Sequence, residues 1–450
     1  MHGLIAGALA ALALPPLQWN ALGLVWLCPW LIGLNAPLRL RLLRTLPIAI
    51  VPVAHSVSPG ALTHPLAAAA LLAAVLGPLL IAAVLAADRQ GATSAPRLIA
   101  SLAMVSVFFA ALRHHGSPMS LALFPAPAPW TLQGVNRLGL LLTDLLLATL
   151  QVLLVWLYWH ARQTPRQIAG PALGVLLVLA SGLGLQWHGQ VRGDVARTDS
   201  WQVAIVQARL TPHERDRLGA DGVLERVLAR QSQWHALARR LGVDWLVWPE
   251  SSTPGYPPPQ GPDAPADGLG TVRHLYTYEG PGQLRSLALL ESADGQRQMT
   301  EKAHPLVFAE PYLAPVPNAP LTGTIDNVTA GVLICSEVLR EAAVDQALSE
   351  GADILLNPSA STFSAGPVAA LVQRDAAHLQ AARVNVPLIM AGNGGPSGLL
   401  LPSGARAGAM APGMTGLRVV DVPRRRAGAS GQVAWQVVYR GKHLPYRRGA

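Results

Sequence analysis

The sequence predicts a multi-pass α-helical membrane domain followed by an α/β domain. Residues 1–187 contain long apolar runs, such as 67–87 and 138–159, with charges confined to short gaps. From Trp201 onward, short apolar strands alternate with amphipathic helices, as in layered α/β domains. We therefore divide the chain into a transmembrane domain at 1–187, a globular domain at 188–423 and a basic C-terminal tail at 424–450 that carries one last strand near 433–439.

The composition of the chain supports this division. Apolar residues make up 51% and charged residues 13%, and the charged share is about half that of ordinary soluble domains. The net charge of +9 comes from arginine, because only Lys302 and Lys442 are lysines. A basic balance can indicate nucleic acid or an anionic membrane surface. The arginines lie mainly between apolar segments and in the tail, without a nucleic-acid motif, so we expect no nucleic-acid partner.

Apolar segments in the first half are candidates for membrane helices, since a helix needs about 20 apolar residues to cross a bilayer. The seven candidates are 3–14, 18–35, 45–58, 64–87, 98–112, 134–159 and 168–187. Most of the arginines follow the second, fourth and sixth segments, which places those gaps in the cytoplasm. Seven crossings would then put the globular domain on the periplasmic side of the inner membrane. The first segment lacks the features of a cleaved signal peptide, so we expect it to be retained.

One carboxylate, Asp144, lies within the predicted membrane segments. A carboxylate inside a bilayer is costly and often functional. Asp144 lies near Arg137 on the same segment, so a structural or interfacial role and a catalytic role both stay open.

The two cysteines, Cys28 and Cys335, lie in different halves of the chain. A disulfide between them would have to join a membrane helix to the globular domain, which we do not expect. Cys335 is therefore predicted to be a free thiol in the globular domain and a candidate nucleophile.

Charged side chains and Cys335 follow the predicted strands of the globular domain. Strands are predicted at 202–207, 244–248, 285–291, 329–334, 354–357 and 387–391, and helices at 222–241 and 368–384. Glu250 lies in WPES after the second strand, and Cys335 and Glu337 lie in GVLICSE after the fourth. The segment between them, EKAHPLVFAE, carries Lys302 and Glu310. Functional residues in α/β proteins collect at carboxyl ends of strands, so these positions suit a site.

These residue types fit cysteine-based acyl transfer. A thiol of pKa about 8.5 must lose its proton before it attacks, and the resulting tetrahedral anion must be stabilised. Glu250 can serve as the general base, and Lys302 together with the backbone N–H after Cys335 can hold the oxyanion. Lysine at this position stands out in a chain that otherwise uses arginine, because a compact ammonium differs from a guanidinium in geometry and reactivity.

Taken in order, WPES, EKAHPLVFAE and GVLICSE resemble the Glu–Lys–Cys signature of the nitrilase (carbon–nitrogen hydrolase) superfamily. The preceding apolar helices narrow the resemblance to its apolipoprotein N-acyltransferase-like branch, whose closing segment is similar to residues 357–395, including Asn357, Arg383 and Asn393. The resemblance implies an α-β-β-α sandwich and a membrane-bound N-acyltransferase or amidase. It assigns Glu250, Lys302 and Cys335 as the catalytic triad and Glu310 and Glu337 as supporting carboxylates. From the residues alone, an ordinary salt bridge or a solvated face is the alternative for the last two.

The sequence departs from this branch at several points. Ala309 and Ser336 replace a glycine and a tyrosine, a tryptophan expected near 362–363 is absent, and the expected last membrane helix is replaced by the basic tail. In these respects the layout is similar to the TraB conjugal-transfer proteins. The implied partners are a membrane lipid as acyl donor and an amine or protein N-terminus as acceptor. The alternative is a catalytically inactive structural component of a conjugation or envelope complex. The histidines show no metal-ligand spacing, so neither metal nor other cofactor is expected, and oligomeric state stays open.

Overall fold

The computed structural model of the chain contains two compact units, Met1–Arg192 and Gly193–Ala450. The residues that the structure describes are 1–14, 20–34, 36–56, 76–83, 95–114, 120–126, 128–163, 168–191, 200–208, 212–251, 268–278, 284–305, 310, 313, 316, 319–360 and 367–423. The basic tail with its predicted strand near 433–439, and the positions 309 and 362–363, lie outside them. The assignment of the two units as a transmembrane and a catalytic domain stays a prediction.

Helices make up the N-terminal unit. They are α1 (His2–Ala13), α2 (Cys28–Gly33), α3 (Leu38–Ser56), α4 (described over 76–83), α5 (Ala95–His114), α6 (Pro129–Gln163) and α7 (Ala169–Val191). Among the described residues, two helical stretches are long and apolar enough to cross a membrane, Arg97–His114 and Trp130–Arg162. Shorter apolar stretches with helical residues occupy His2–Ala13, Ala21–Gly33 and the first part of α7, Ala169–Ala180. That all seven predicted segments cross the membrane remains a prediction.

The second predicted membrane segment, 18–35, is not one continuous helix. Asn20–Leu24 forms a 3-10 helix, and α2 begins one residue before Pro29. A proline has no amide hydrogen and is well accommodated in the first turn of a helix, and Pro29 occupies the first turn of α2. Gly23 packs so closely on the backbone of Phe124 that a Cβ at this position would lie 2.6 Å from the carbonyl carbon. The segment therefore bends where a neighbouring loop packs against it.

Asp144 of α6 forms a buried ion pair with Arg113 at the end of α5, with an N–O distance of 3.1 Å. The hydroxyl of Ser120 and the backbone amide of Ala122 both donate to the other carboxylate oxygen, at 2.6 and 2.9 Å. Arg137 is on the same helix as Asp144, but α6 is kinked between them at Gly139 (φ 77°). Asp144 therefore joins α5, α6 and the segment between them, which supports the structural reading of this residue.

The C-terminal unit is built from two six-stranded sheets. Its elements are β1 (Ser200–Gln207), α8 (Pro212–Leu241), β2 (Trp245–Val247), β3 (Gly270–Tyr278), β4 (Leu284–Glu291), β5 (Arg297–Glu301), β6 (Thr322–Ile325), β7 (Val328–Val332), α9 (Glu341–Ser349), β8 (Ile354–Ala360), α10 (Pro367–Val384), β9 (Leu388–Asn393), β10 (Ser397–Leu400), β11 (Arg406–Met410) and β12 (Gly416–Pro423). The strand orders are β12-β1-β2-β3-β4-β5 and β11-β10-β9-β8-β7-β6.

The two sheets pack face to face with helices on their outer faces. Side chains of both sheets, such as Val203 and Trp245 from the first and Val332 and Ile354 from the second, form one buried core. On the outer face of the first sheet, Trp234 of α8 packs in a second apolar cluster. Helices α9 and α10 cover the second sheet in a third cluster. The predicted α-β-β-α sandwich is confirmed.

The sandwich brings together the chain segments that carry the candidate site residues, which follow β2, β5 and β7. Strands β1, β2 and β3 are mutually parallel, as are β7, β8 and β9. Strand β5 is antiparallel to β4, and β4 is antiparallel to β3, so β5 runs in the same direction as β3 and β2. The carboxyl ends of β2 and β5 therefore lie at the same end of the first sheet. The predicted strand 329–334 ends at Val332, since the chain then turns into a 3-10 helix at Cys335–Leu339.

We expect the substitution Asp144→Asn to destabilise the N-terminal unit by about 3 kcal/mol, because it removes the negative charge beside the buried guanidinium of Arg113. The double variant Arg113→Met/Asp144→Asn should recover at least half of this loss, since it also removes the buried positive charge and keeps an oxygen acceptor for Ser120. Thermal unfolding in detergent measures both. A double variant no more stable than the single one would contradict the structural role of the pair.

Candidate active site

The side chains of Glu250, Lys302, Glu310 and Cys335 converge in one pocket of the C-terminal unit. A carboxylate oxygen of Glu250, a carboxylate oxygen of Glu310 and the sulfur of Cys335 lie within 4.8 Å of one another. Lys302 Nζ donates a hydrogen bond to Glu310 Oε1 at 2.5 Å. Glu250 and Lys302 follow β2 and β5 of the first sheet, and Cys335 follows β7 of the second. The pocket therefore forms where the carboxyl ends of β2 and β5 of the first sheet approach the carboxyl end of β7 of the second.

Cys335 lies at a sharp turn of the backbone. Its φ of 55° is in the left-handed region, which a residue with a side chain adopts only when its surroundings enforce it. The amides of Asn357 and Gln373 donate to the carbonyl of Cys335 at 2.9 and 3.0 Å. The backbone amide of Ala360 hydrogen-bonds the sulfur, which favours its anionic form. Strand β8 and helix α10 thus hold the turn that presents the thiol to the pocket.

Burial governs the protonation of both Cys335 and Glu250. Burial raises the pKa of the Cys335 thiol well above its ordinary value, and the negative charge of Glu250 raises it further. Burial also raises the pKa of the Glu250 carboxyl, while the charge of Lys302 lowers it. Hydrogen bonds from the thiol and from Tyr276 to this carboxylate lower it as well. A proton can therefore pass between neighbouring groups whose pKa values are both raised.

Lys302 supplies the positive charge of the pocket. Its side chain is nearly fully buried, with 1% exposed. Burial opposes the charged form, but the neighbouring acids Cys335, Glu250 and Glu310 outweigh it and raise the pKa of the ammonium. Lys302 is consequently charged at neutral pH, and its charge acts on the Cys335 thiol, where an oxyanion would develop.

Glu337 hydrogen-bonds the backbone next to Lys302 and next to Cys335. Its two carboxylate oxygens accept the backbone amides of His304 and Ile334, each at 2.9 Å. Burial raises the pKa of this carboxyl to about 7, although Lys302 and the donating amides act in the opposite direction. Glu337 therefore joins the residues after β5 to the turn at Cys335.

Glu250, Glu310 and Cys335 are also the described residues whose spacing could suit a metal ion. Thiolate and carboxylate ligands are chemically suited to zinc. The ammonium of Lys302, hydrogen-bonded to Glu310, places a positive charge beside this cluster. That charge disfavours a divalent cation and suits a developing anion instead.

Sequence reasoning missed several residues that support the pocket. Tyr276 donates to Glu250 Oε1 at 3.1 Å, and Gln373 braces Cys335, but neither belongs to a recognisable motif. Asn357 and Asn393 were noted in the sequence without a role, and Asn393 donates to the carbonyl of Glu250 at 3.2 Å. Arg383, noted with them, instead pairs with Asp345 between α10 and α9.

We expect the stability of the C-terminal unit to depend on pH through Glu337. Its carboxyl has a pKa of about 7 when folded and 4.5 as the ordinary value, so the folded state holds the proton over a range where the unfolded chain releases it. The stabilising contribution of the Glu337 carboxyl to the free energy of unfolding is therefore greatest below pH 4.5 and is lost as pH rises through 7. The loss amounts to roughly 3 kcal/mol.

The variant Glu337→Gln does not titrate at this position, so the difference between wild type and variant isolates this carboxyl. Urea unfolding followed by tryptophan fluorescence at pH 4.5, 6 and 7.5 measures it. The free energy of unfolding of the wild type should decline relative to that of the variant over this range. Parallel pH profiles would contradict the raised pKa of Glu337.

No protein-family profile matches the chain. The chain is similar to the apolipoprotein N-acyltransferase of Prochlorococcus marinus (strain MIT 9313), with 28% identity over 327 residues. The match covers 64% of this chain and 60% of the relative, so the chain spans less than two thirds of that protein's length.

Solved structures of an amidase from Nesterenkonia are also similar to this chain. A cysteine-to-alanine mutant of that amidase, described as from the nitrilase superfamily, is 24% identical and covers 51% of this chain and 94% of its own, with a TM-score of 0.41. A further structure of the Nesterenkonia amidase is 22% identical and covers 51% and 93%, with a TM-score of 0.40. The 28% identity to the Prochlorococcus protein confirms the resemblance to the apolipoprotein N-acyltransferase-like branch, which the three ordered motifs and the preceding apolar helices together predict.

Proposed function

We propose that this protein is a membrane-bound N-acyltransferase or amidase that works through a thioester on Cys335. The observation that carries the proposal is the convergence of Cys335, Glu250 and Lys302 in one buried pocket, from three separate strand ends. A nucleophile, a base and a fixed cation at this spacing are what acyl transfer needs.

In the proposed mechanism, Glu250 accepts the proton of the Cys335 thiol as the sulfur attacks an acyl carbonyl. The carbonyl π electrons move onto oxygen, where the ammonium of Lys302 and the backbone N–H following Cys335 stabilise the negative charge. The tetrahedral intermediate collapses, and the leaving alcohol or amine takes the proton back from Glu250. Water or an amine then attacks the thioester by the same steps and regenerates the thiol.

Glu310 and Glu337 act as supporting carboxylates in this proposal. Glu310 holds the ammonium of Lys302 at 2.5 Å and so limits where it can point. Glu337 fixes the backbone next to Lys302 and Cys335 through two amides. Neither needs to exchange a proton with the substrate, which distinguishes their roles from that of Glu250.

A membrane lipid is the proposed acyl donor, and an amine or a protein N-terminus is the proposed acceptor. The apolar helices of the N-terminal unit support a location in the inner membrane, and the arginine distribution favours a periplasmic C-terminal unit. The name of the Prochlorococcus relative supports acyl transfer to a lipoprotein. A role in conjugal transfer like that of TraB stays a prediction from the layout of the sequence.

Mass spectrometry of the full chain, extracted in detergent from cells fed an alkyne-tagged fatty acid, tests the proposal. We expect a tagged acyl group on the peptide that contains Cys335. Cys335→Ala should lose it entirely, and Lys302→Met should lower the rate of acylation about 100-fold, because one oxyanion contact is lost. Cys28→Ala is the matched control and should keep the adduct, since Cys28 lies in the helical unit.

Equal labelling of the wild type and Cys335→Ala would overturn the enzymatic proposal. The competing role is that of a catalytically inactive structural component of a conjugation or envelope complex. This role would be supported if expression of the Cys335→Ala variant in a deletion strain restored conjugal transfer or growth to the wild-type level.

A further inference from the structure

Tyr276 lies in β3, the strand beside β2, and faces the candidate base. Its hydroxyl donates a hydrogen bond to Glu250 Oε1 at 3.1 Å. A neutral donor to a carboxylate favours the ionised form of that carboxylate without adding a charge to the site.

Glu250 needs such a donor because its surroundings oppose ionisation. The residue is 3% exposed, and burial is the main cause of its raised pKa. The titratable groups that face it among the described residues are Lys302, Glu310, Cys335 and Tyr276. Glu310 opposes a second negative charge, and Lys302 is already hydrogen-bonded to Glu310 at 2.5 Å. The phenol of Tyr276 is therefore a donor to the Glu250 carboxylate in addition to the Cys335 thiol, and it adds no charge to the pocket.

His274, two residues before Tyr276, holds this part of the strand without carrying charge. Its Nδ1 accepts the backbone amide of Ser251 at 3.1 Å, so the ring proton is on Nε2, which donates to Ser286 Oγ at 2.8 Å. Burial and the charge of Lys302 lower the pKa of His274 to about 3, so the imidazole is neutral. Its ring packs edge-on against the phenol of Tyr276 with centroids 4.7 Å apart.

The imidazole also fixes the backbone directly after Glu250. Ser251, which donates to it, has a φ of 58° and is held in the left-handed region. Asn393 holds the carbonyl of Glu250 from the second sheet. The backbone of Glu250 is thus anchored from both sheets, and the phenol of Tyr276 orients its carboxylate.

We propose that Tyr276 is a positioning residue that keeps Glu250 ionised and directed at the Cys335 thiol at neutral pH. This inference rests on the proposed function, because it assigns a partner to the proposed base. Its consequence is a defined pH dependence for the reactivity of Cys335.

The test is the rate at which iodoacetamide alkylates Cys335 in the detergent-solubilised full chain, followed from pH 4 to 9 by mass spectrometry of the Cys335 peptide. The wild-type rate should fall at low pH as Glu250 becomes protonated. Tyr276→Phe should move the midpoint of this fall upward by about one pH unit, because the ionised carboxylate loses one hydrogen bond. The rate above the midpoint should stay within about twofold of the wild type, since the thiol and Lys302 are unchanged.

A fluorotyrosine incorporated at position 276 tests the same contact in the other direction. Its more acidic hydroxyl is a stronger donor, so the midpoint should move to lower pH. Opposite shifts from these two replacements cannot arise from a partly unfolded protein. Tyr158→Phe, which removes a hydroxyl from the N-terminal unit, is the matched control and should leave the midpoint unchanged.

The outcomes separate this inference from the proposed function. Glu250→Gln should abolish the acidic fall in the alkylation rate. If it does so while Tyr276→Phe leaves the midpoint within 0.2 pH units of the wild type, roughly a fifth of the expected shift, the role of Tyr276 is overturned and the base remains. If Glu250→Gln leaves the profile unchanged, the assignment of Glu250 as base fails.

Discussion

The buried ammonium of Lys302 sets the charge balance of the pocket. An isolated charge in a protein interior is strongly unfavourable, and acidic partners at close range make it tolerable. Glu310 is one such partner at 2.5 Å, and its carboxylate lies within 4.8 Å of the Glu250 carboxylate and the Cys335 sulfur. Among the described residues of the pocket, one cation faces three acids, so the pocket does not accommodate three full negative charges. A proton shared between the thiol and the carboxylates follows from this limit.

The geometry of the pocket depends on the packing of two sheets. Glu250 and Lys302 leave the first sheet at one edge, and Cys335 leaves the second. Each sheet presents an apolar inner face to the other, and the shared core fixes their separation. Glu250 and Cys335 therefore lie directly after buried strands, and Lys302 follows the mostly polar edge strand β5.

Neutral side chains provide most of the support around the charged ones. Asn357 and Gln373 hold the Cys335 turn, Asn393 holds the backbone of Glu250, and Tyr276 holds its carboxylate. His274 serves as a hydrogen-bonding spacer because its pKa is too low for it to be charged. Amides, a phenol and a neutral imidazole can orient groups without disturbing the balance set by Lys302.

In the helical unit, the pair of Asp144 and Arg113 shows that a sequence pattern can indicate a buried partner without identifying it. A carboxylate in an apolar segment predicts a buried partner, but Arg113 is 31 positions away, and only the packing of α5 on α6 brings it within 3.1 Å. Similarly, Pro29 marks a break in the predicted helix 18–35, whereas the close approach of Gly23 to Phe124 is a property of the folded unit.

The sequence by itself determined the α/β class of the C-terminal unit and the nature of the reactive groups. Apolar runs of strand length, with a carboxylate after one run and a thiol after another, are local signals, and local signals can be read along the chain. The edge strands β5 (RQMTE) and β6 (TGTI) were missed because they are too short and too polar to form an apolar run. Tertiary structure alone decided the supporting residues. Tyr276 and Gln373 reach the pocket from β3 and α10, and a contact between distant segments leaves no pattern in the chain when neither partner belongs to a motif.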